Sequence, residues 1–123
     1  MRAKDRTGLV GEDKAAEYLI ANGHQLLERR WRTPTGELDL ITMDGHELVA
    51  VEVKTRRGLD YGHPFEAISE LKLRRLQRLL MEYAAHVPIR PARRRIDAIA
   101  ILLHPGDIRA DTPVAVEHLK DLP

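Results

Sequence analysis

Three acids and a lysine occupy positions where a soluble sheet rarely places charge. In the stretch from Gly36 to Arg56, GELDLITMDGHELVAVEVKTR, the acids Glu37, Asp39 and Glu52 lie beside or between β-branched and aliphatic runs, with Lys54 two residues after Glu52. An ionised carboxylate is costly in such surroundings unless something compensates it. Asp44-Gly45 is a two-residue hairpin signal between the strand-like runs Glu37–Met43 and Glu47–Thr55. With that pair at the tip, Met43 faces His46, Asp39 faces Ala50 and Glu37 faces Glu52. Side chains alternate, so Glu37, Asp39, Glu52 and Lys54 share one face, and Leu38, Leu40, Val49, Val51 and Val53 share the other. Gathered carboxylates repel one another. A hard divalent cation resolves the conflict, because Mg²⁺ takes oxygen ligands from carboxylates, water and substrate phosphate. Lys54 is spaced to orient a nucleophile or offset charge on a phosphate. Salt bridges to neighbouring arginines are the competing explanation.

A fourth acid comes from far away in sequence. Thr7 to Asn22 reads as an amphipathic helix ended by Gly23, its apolar stripe holding Leu9, Ala15, Ala16, Leu19 and Ile20. Glu12 falls within that stripe, where it wants an arginine, a backbone donor or a metal; at a helix start it could also simply favour the dipole. A second helix runs from a Ser69 cap to about Val87, with Leu73, Leu76, Leu79, Leu80, Tyr83 and Val87 as its stripe. Lys72 lies toward the apolar side in its first turn. Either its stem snorkels, or an anion or the acidic cluster lies nearby.

The remaining elements frame this group. His24 to Arg32 is expected as a strand at or near an edge, followed by a turn at Thr33-Pro34-Thr35-Gly36. Arg57 to Pro64 reads as a loop suited to handling substrate. Arg94 to Leu103 is an apolar strand with Asp97 embedded in it, for which pairing with an arginine is the default. His104-Pro105-Gly106 makes a turn, and Val114 to His118 adds a short final strand.

A chain of 123 residues, 43% hydrophobic, suits one compact domain with a single core. Twenty basic and nineteen acidic residues nearly cancel, so net charge alone does not announce a nucleic-acid partner; clumps such as Arg29, Arg30 and Arg32 could still make a basic face. Cysteine is absent, which excludes disulfides, thiolate metal sites and cysteine nucleophiles. The six histidines show no zinc-ligand spacing, and none is assigned to a metal. No apolar run is long enough to cross a bilayer and the first residues lack a signal-peptide core, so the expectation is a cytoplasmic protein without membrane contact.

Taken together, Gly11-Glu12, Gly36-Glu37-Leu38-Asp39-Leu40-Ile41, Val51-Glu52-Val53-Lys54-Thr55-Arg56, Gly62-His63-Pro64, Lys72 and Arg95-Ile96-Asp97 resemble the YraN family of small bacterial proteins. That family is similar to the PD-(D/E)XK nuclease superfamily and, within it, to archaeal Holliday-junction resolvases. The resemblance implies an α/β, restriction-endonuclease-like domain over residues 1–123, with a central mixed sheet of about five strands flanked by helices. It also implies a Mg²⁺-dependent nuclease, with Mn²⁺ as an alternative ion, acting on DNA rather than RNA, branched or structured DNA included. By position, Glu12, Asp39, Glu52 and Lys54 match the catalytic set. Glu12, Asp39, Glu52 and the carbonyl of Val53 would hold metal; Arg56, Arg57 and Lys72 would contact phosphate. Glu37 matches no catalytic position and ranks as supporting. Leu38 stands where the superfamily name has proline, which the metal chemistry does not require. A homodimer would follow the resolvases. The alternatives are a nucleic-acid-binding module that keeps the nuclease fold without cutting, and a protein-interaction scaffold.

Overall fold

The computed structural model describes residues 3–57, 65, 68–104 and 113–123. Among them two helices and five strands run in the order α1 (Ala3–Ala21), β1 (Gln25–Thr33), β2 (Gly36–Asp44), β3 (Glu47–Arg57), α2 (Glu70–His86), β4 (Arg93–Leu103) and β5 (Pro113–Leu119). The expected loop between Arg57 and Pro64 lies outside the described residues apart from Arg57 itself, as do Gly62-His63-Pro64 and the Pro105-Gly106 turn.

The sheet follows sequence order, β1 to β5, with antiparallel pairs throughout except for β3 and β4. Those two central strands run parallel over eleven residues, from Glu47 beside Arg93 to Arg57 beside Leu103. A parallel pair needs a crossover, and α2 lies within it. Strands buried on both faces read as continuous apolar runs, which is why Ile96–Leu103 shows little alternation.

One helix covers each face. Ala15, Ala16 and Leu19 of α1 pack on Leu40, Val49, Val51, Ile99, Ile101 and Leu103. Leu76, Leu79, Leu80 and Tyr83 of α2 pack on Leu38, Ile41, Leu48, Ala50 and Ile96. The expected single core is therefore two apolar layers separated by the sheet. Each fully buried Leu, Ile or Val contributes about 1.5–3 kcal/mol relative to leaving it in water. Trp31 meets Tyr83 edge to face at 5.3 Å and ties the edge strand β1 to α2.

α1 begins at Ala3, four residues before the expected Thr7, but its end and the start of α2 fall where the sequence predicts. Gly23 takes φ +91 after α1, and the Ser69 side chain accepts from the Lys72 amide at the start of α2. Gly11 serves close approach instead: a Cβ there would overlap the side chain of Thr55 on β3, so this glycine lets α1 lie directly against the sheet. The result is the α/β, five-stranded mixed sheet with flanking helices of a restriction-endonuclease-like fold.

The hairpin register differs from the expected one. Asp44 pairs with Glu47 and Met43 with Leu48, so Gly45 and His46 form the tip and Asp44 is the last strand residue. The reason is backbone sterics. A tight hairpin turn needs positive φ at its first central residue, and it is Gly45, at φ +63, that supplies it. The shift is by two residues and from Leu40 onward keeps side chains on the expected faces, but it brings Asp39 toward Glu52 instead of Ala50.

Leu38 also departs from expectation. It packs in the α2 layer with Ile41, whereas Leu40 packs under α1. Alternation breaks at Asp39, where the β2–β3 ladder ends at Leu40 beside Val51.

Candidate functional site

The acidic group forms where β2 and β3 part. The Asp39 carboxylate accepts the Val53 amide at 2.9 Å, taking the place of a ladder carbonyl. N–H and C=O of an extended residue leave the strand on the same edge, so the Val53 carbonyl also points into this fork. Glu52 is buried, at 8% exposure, and its carboxylate meets the Lys72 ammonium of α2 at 3.1 Å. Of the two readings of Lys72, the structure supports the one that places the acidic cluster nearby.

Asp39 and Glu52 interact closely enough that their proton affinities separate, as those of two adjacent, poorly solvated carboxyls must. Burial, the bond to Glu52 and the Glu52 charge push Asp39 up to about 8. Burial also works to raise Glu52, but the bond from Asp39 and the charges of Lys72 and Lys54 outweigh it and hold Glu52 below the ordinary range. The proton is therefore held more tightly on Asp39 than on Glu52. Lys54 is held below its usual range by burial and by the Lys72 ammonium beside it. For Lys72 the cost of burial is overcome by Glu52, and its proton is held more tightly.

Glu12 comes from the α1 side. Its charge contributes to the rise of Asp39, which places it within Coulombic reach of the pair. Its two oxygens are engaged by Arg30, Nε to Oε1 at 3.0 Å and Nη2 to Oε2 at 3.2 Å. Among the described residues, no three His, Cys, Asp or Glu side chains converge on one metal position. The donor chemistry at Asp39 and Glu52 nevertheless fits a hard cation: two carboxyl groups and a strand carbonyl, with an acid proton standing where a cation would neutralise the pair.

The other sequence candidates divide. Glu37 pairs with Arg32 at 2.9 Å, on the β1 side. Arg57 ties α1 to the end of β4, donating from Nε to Thr7 Oγ1 at 3.0 Å and from Nη1 to the His104 carbonyl at 3.3 Å. Arg56 donates from Nη1 to the Thr55 carbonyl, while its buried Nε has no hydrogen-bond partner among the described residues. A buried donor without an acceptor is unusual enough to require a reason.

A second polar group lies under the other end of α1. Asp97, fully buried, accepts from Arg95 Nε at 3.0 Å, from the Asp121 amide at 3.0 Å, and meets His118 Nε2 at 2.7 Å. Arg95 continues to Asp44 and Glu47, and His118 Nδ1 meets the Tyr18 hydroxyl at 3.1 Å. Burial raises Asp97, but Arg95, the Asp121 amide and His118 outweigh it and hold it below the ordinary carboxylate range. His24 belongs to the same group through Thr42 and Asp44. The expected arginine partner of Asp97 is Arg95, two positions away on the same strand face. Sequence reasoning missed the histidines, because no local spacing marks them; nor does one mark Arg30, the partner of Glu12.

A model described as uncharacterised protein family UPF0102 matches residues 11–101. The chain is 44% identical to a UPF0102 protein of Renibacterium salmoninarum over 122 residues, covering 99% of both. It is 48% identical to one of Pseudarthrobacter chlorophenolicus over 120 residues, 98% of this chain and 87% of that protein. With one of Beutenbergia cavernae it shares 50% identity over 102 residues, 83% and 86% respectively.

Proposed function

The chain belongs to the uncharacterised protein family UPF0102, the YraN family, and from that premise we infer that it is a Mg²⁺-dependent nuclease hydrolysing phosphodiesters in DNA. The observation that carries this reading is the Asp39–Glu52 pair: a half-buried and a buried carboxyl at the end of a strand ladder, one pushed above and the other held below the ordinary carboxylate range. Structural ion pairing does not call for that arrangement, since two adjacent acids cost stability that a cation would restore.

Asp39 and Glu52, with the Val53 carbonyl, would hold the ion, and Glu12 would add a ligand or fix an ordered water. A bound Mg²⁺ or Mn²⁺ would supply Lewis-acid polarisation of the phosphate and a water of lowered pKa. Lys54, at the same fork, would orient the attacking water and offset developing negative charge. Lys72 neutralises Glu52 in the free protein and would meet phosphate when the acids are otherwise engaged. Arg56, beyond the end of the β2–β3 ladder, would contact the DNA backbone through its guanidinium, a contact independent of sequence. Branched or otherwise structured DNA is the substrate class to examine first, and a homodimer the assembly to look for.

Labelled branched, duplex and single-stranded DNA incubated with the pure protein and Mg²⁺ or Mn²⁺ tests this. Cleavage that vanishes in Asp39→Ala and Lys54→Ala supports it, and cleavage that survives both sinks it. A second reading, a nucleic-acid-binding module that cuts nothing, is favoured by the engagement of Glu12 with Arg30. Salt-dependent binding without cleavage under every condition would select it.

A further inference from the structure

Glu12 is close enough for Asp39 to feel its charge, yet both its oxygens are taken by Arg30. Three observations set this pair apart from an ordinary surface ion pair. The Glu12 side chain is only 15% exposed, so its charge requires compensation, while Arg30 is 43% exposed and open to solvent ligands. Arg30 has φ +52, a left-handed conformation that a side chain with a Cβ adopts only where its surroundings impose it. It also lies between Arg29, which pairs with Leu40, and Trp31, which pairs with Leu38, level with Asp39. The kink therefore sits beside the fork and turns the guanidinium toward α1.

We propose that Arg30 is a phosphate-sensing latch: in the free protein it occupies Glu12, and on nucleic-acid binding it exchanges that carboxylate for backbone phosphate oxygens, releasing Glu12 toward Asp39 and Glu52. The proposal rests on the nuclease reading above. A guanidinium makes the same two-pronged contact to carboxylate and phosphate, so the exchange replaces one bidentate partner with another. Phosphate wins only when DNA is docked and positions it. The specificity-determining step is thus the assembly of the acidic set, which DNA completes. By linkage, DNA and cation must each raise the affinity for the other by the same factor.

The test is a calorimetric titration of the full chain with Mn²⁺, in the presence and absence of a phosphorothioate duplex that resists cleavage. It uses the wild type, Arg30→Met and Arg30→Gly; glycine tolerates the positive φ and guards against a folding defect. Without DNA, both variants should bind Mn²⁺ about 10-fold more tightly than the wild type, a coupling of ordinary size. Adding the duplex should raise the wild-type affinity by a similar factor and leave the variants unchanged. In a Glu12→Gln background, Arg30→Met should bring no gain, which separates release of Glu12 from mere removal of a nearby positive charge. Equal Mn²⁺ affinity in all three chains, or an undiminished gain in the Glu12→Gln background, overturns the latch. If the wild type still binds Mn²⁺ and cuts DNA, the nuclease reading survives that failure. If no chain binds Mn²⁺ with or without DNA, both fall together.

Discussion

Replacing Asp39 with asparagine keeps the shape of the side chain and removes its titratable proton. The amide oxygen can still accept the Val53 N–H and the amide nitrogen can donate to Glu52, so the fork should close around it unchanged. The energetic effect is a function of pH. Asp39 unfolds to an ordinary carboxyl near 3.8 and folds to about 8. Below the lower value both states carry the proton, and Asp39 contributes nothing. Between the two the unfolded chain has lost it and the folded one retains it, so stability falls as pH rises, and above about 8 the penalty is complete. At about 1.36 kcal/mol per pH unit, the interval amounts to on the order of 5 kcal/mol for an isolated group. Glu52 is displaced in the opposite direction, and the two titrate as a pair, so the net penalty is smaller; we expect about 2–3 kcal/mol. The substituted amide has no proton to lose. Urea denaturation of both chains from pH 4 to 9 should therefore give equal stability at the acid end and a variant more stable by about 2–3 kcal/mol at the alkaline end. The same variant should lose cleavage. A stability difference that does not grow between pH 4 and 8 would refute the raised proton affinity of Asp39, and with it the main support for the cation.

Two glycines of α1 should respond oppositely to alanine. Gly8 has no atom within 4 Å of a built Cβ, so Gly8→Ala should stabilise by about 0.5–1 kcal/mol; Gly11→Ala overlaps Thr55 and should cost about 1–3 kcal/mol in thermal melts. Asp97→Asn leaves Arg95 without its most deeply buried partner and should cost about 3 kcal/mol at pH 7. Because Asp97 is held below its ordinary range, the stability it contributes is present above that range and lost as pH falls through the folded value, so variant and wild type should converge in acid denaturation profiles. Arg56→Ala should weaken DNA binding similarly for all sequences and reduce the slope of log affinity against log salt by about one, read by fluorescence anisotropy.

Periodicity and caps make the helices and strands legible: Gly23 and Ser69 stand where the sequence places them, and β4 is recognisable as an apolar run with one acid in it. The hairpin is legible as a hairpin but not in its register. Asp-Gly can fill both turn positions or straddle the turn's edge, and Asp44 is drawn onto the strand end, where it binds Arg95. Two residues of register separate an Asp39 facing alanine from an Asp39 beside Glu52, so the closeness of that pair could not be read in advance. Glu12 is legible as a buried acid in need of a partner, with arginine among the options. That the partner is Arg30 follows from a left-handed backbone imposed by packing, which leaves no mark on a residue other than glycine. His118 reaches Asp97 from another strand, a contact set by β4–β5 pairing and invisible to any local spacing.

The parting of β2 from β3 has a consequence for how the protein coexists with its neighbours in solution. β3 stays paired with β4 to Arg57, but its ladder to β2 ends at Val51. Beyond that point the β2-side edge of β3 has one amide capped by a carboxylate. An open strand edge is a template on which a stray chain can add a strand. Here Lys54 and Arg56 follow the end of the ladder, and Asp39 occupies the Val53 donor. The side chains that make the fork expensive to fold thus also act as gatekeepers against aggregation. Loss of these charges together would leave a more adhesive chain.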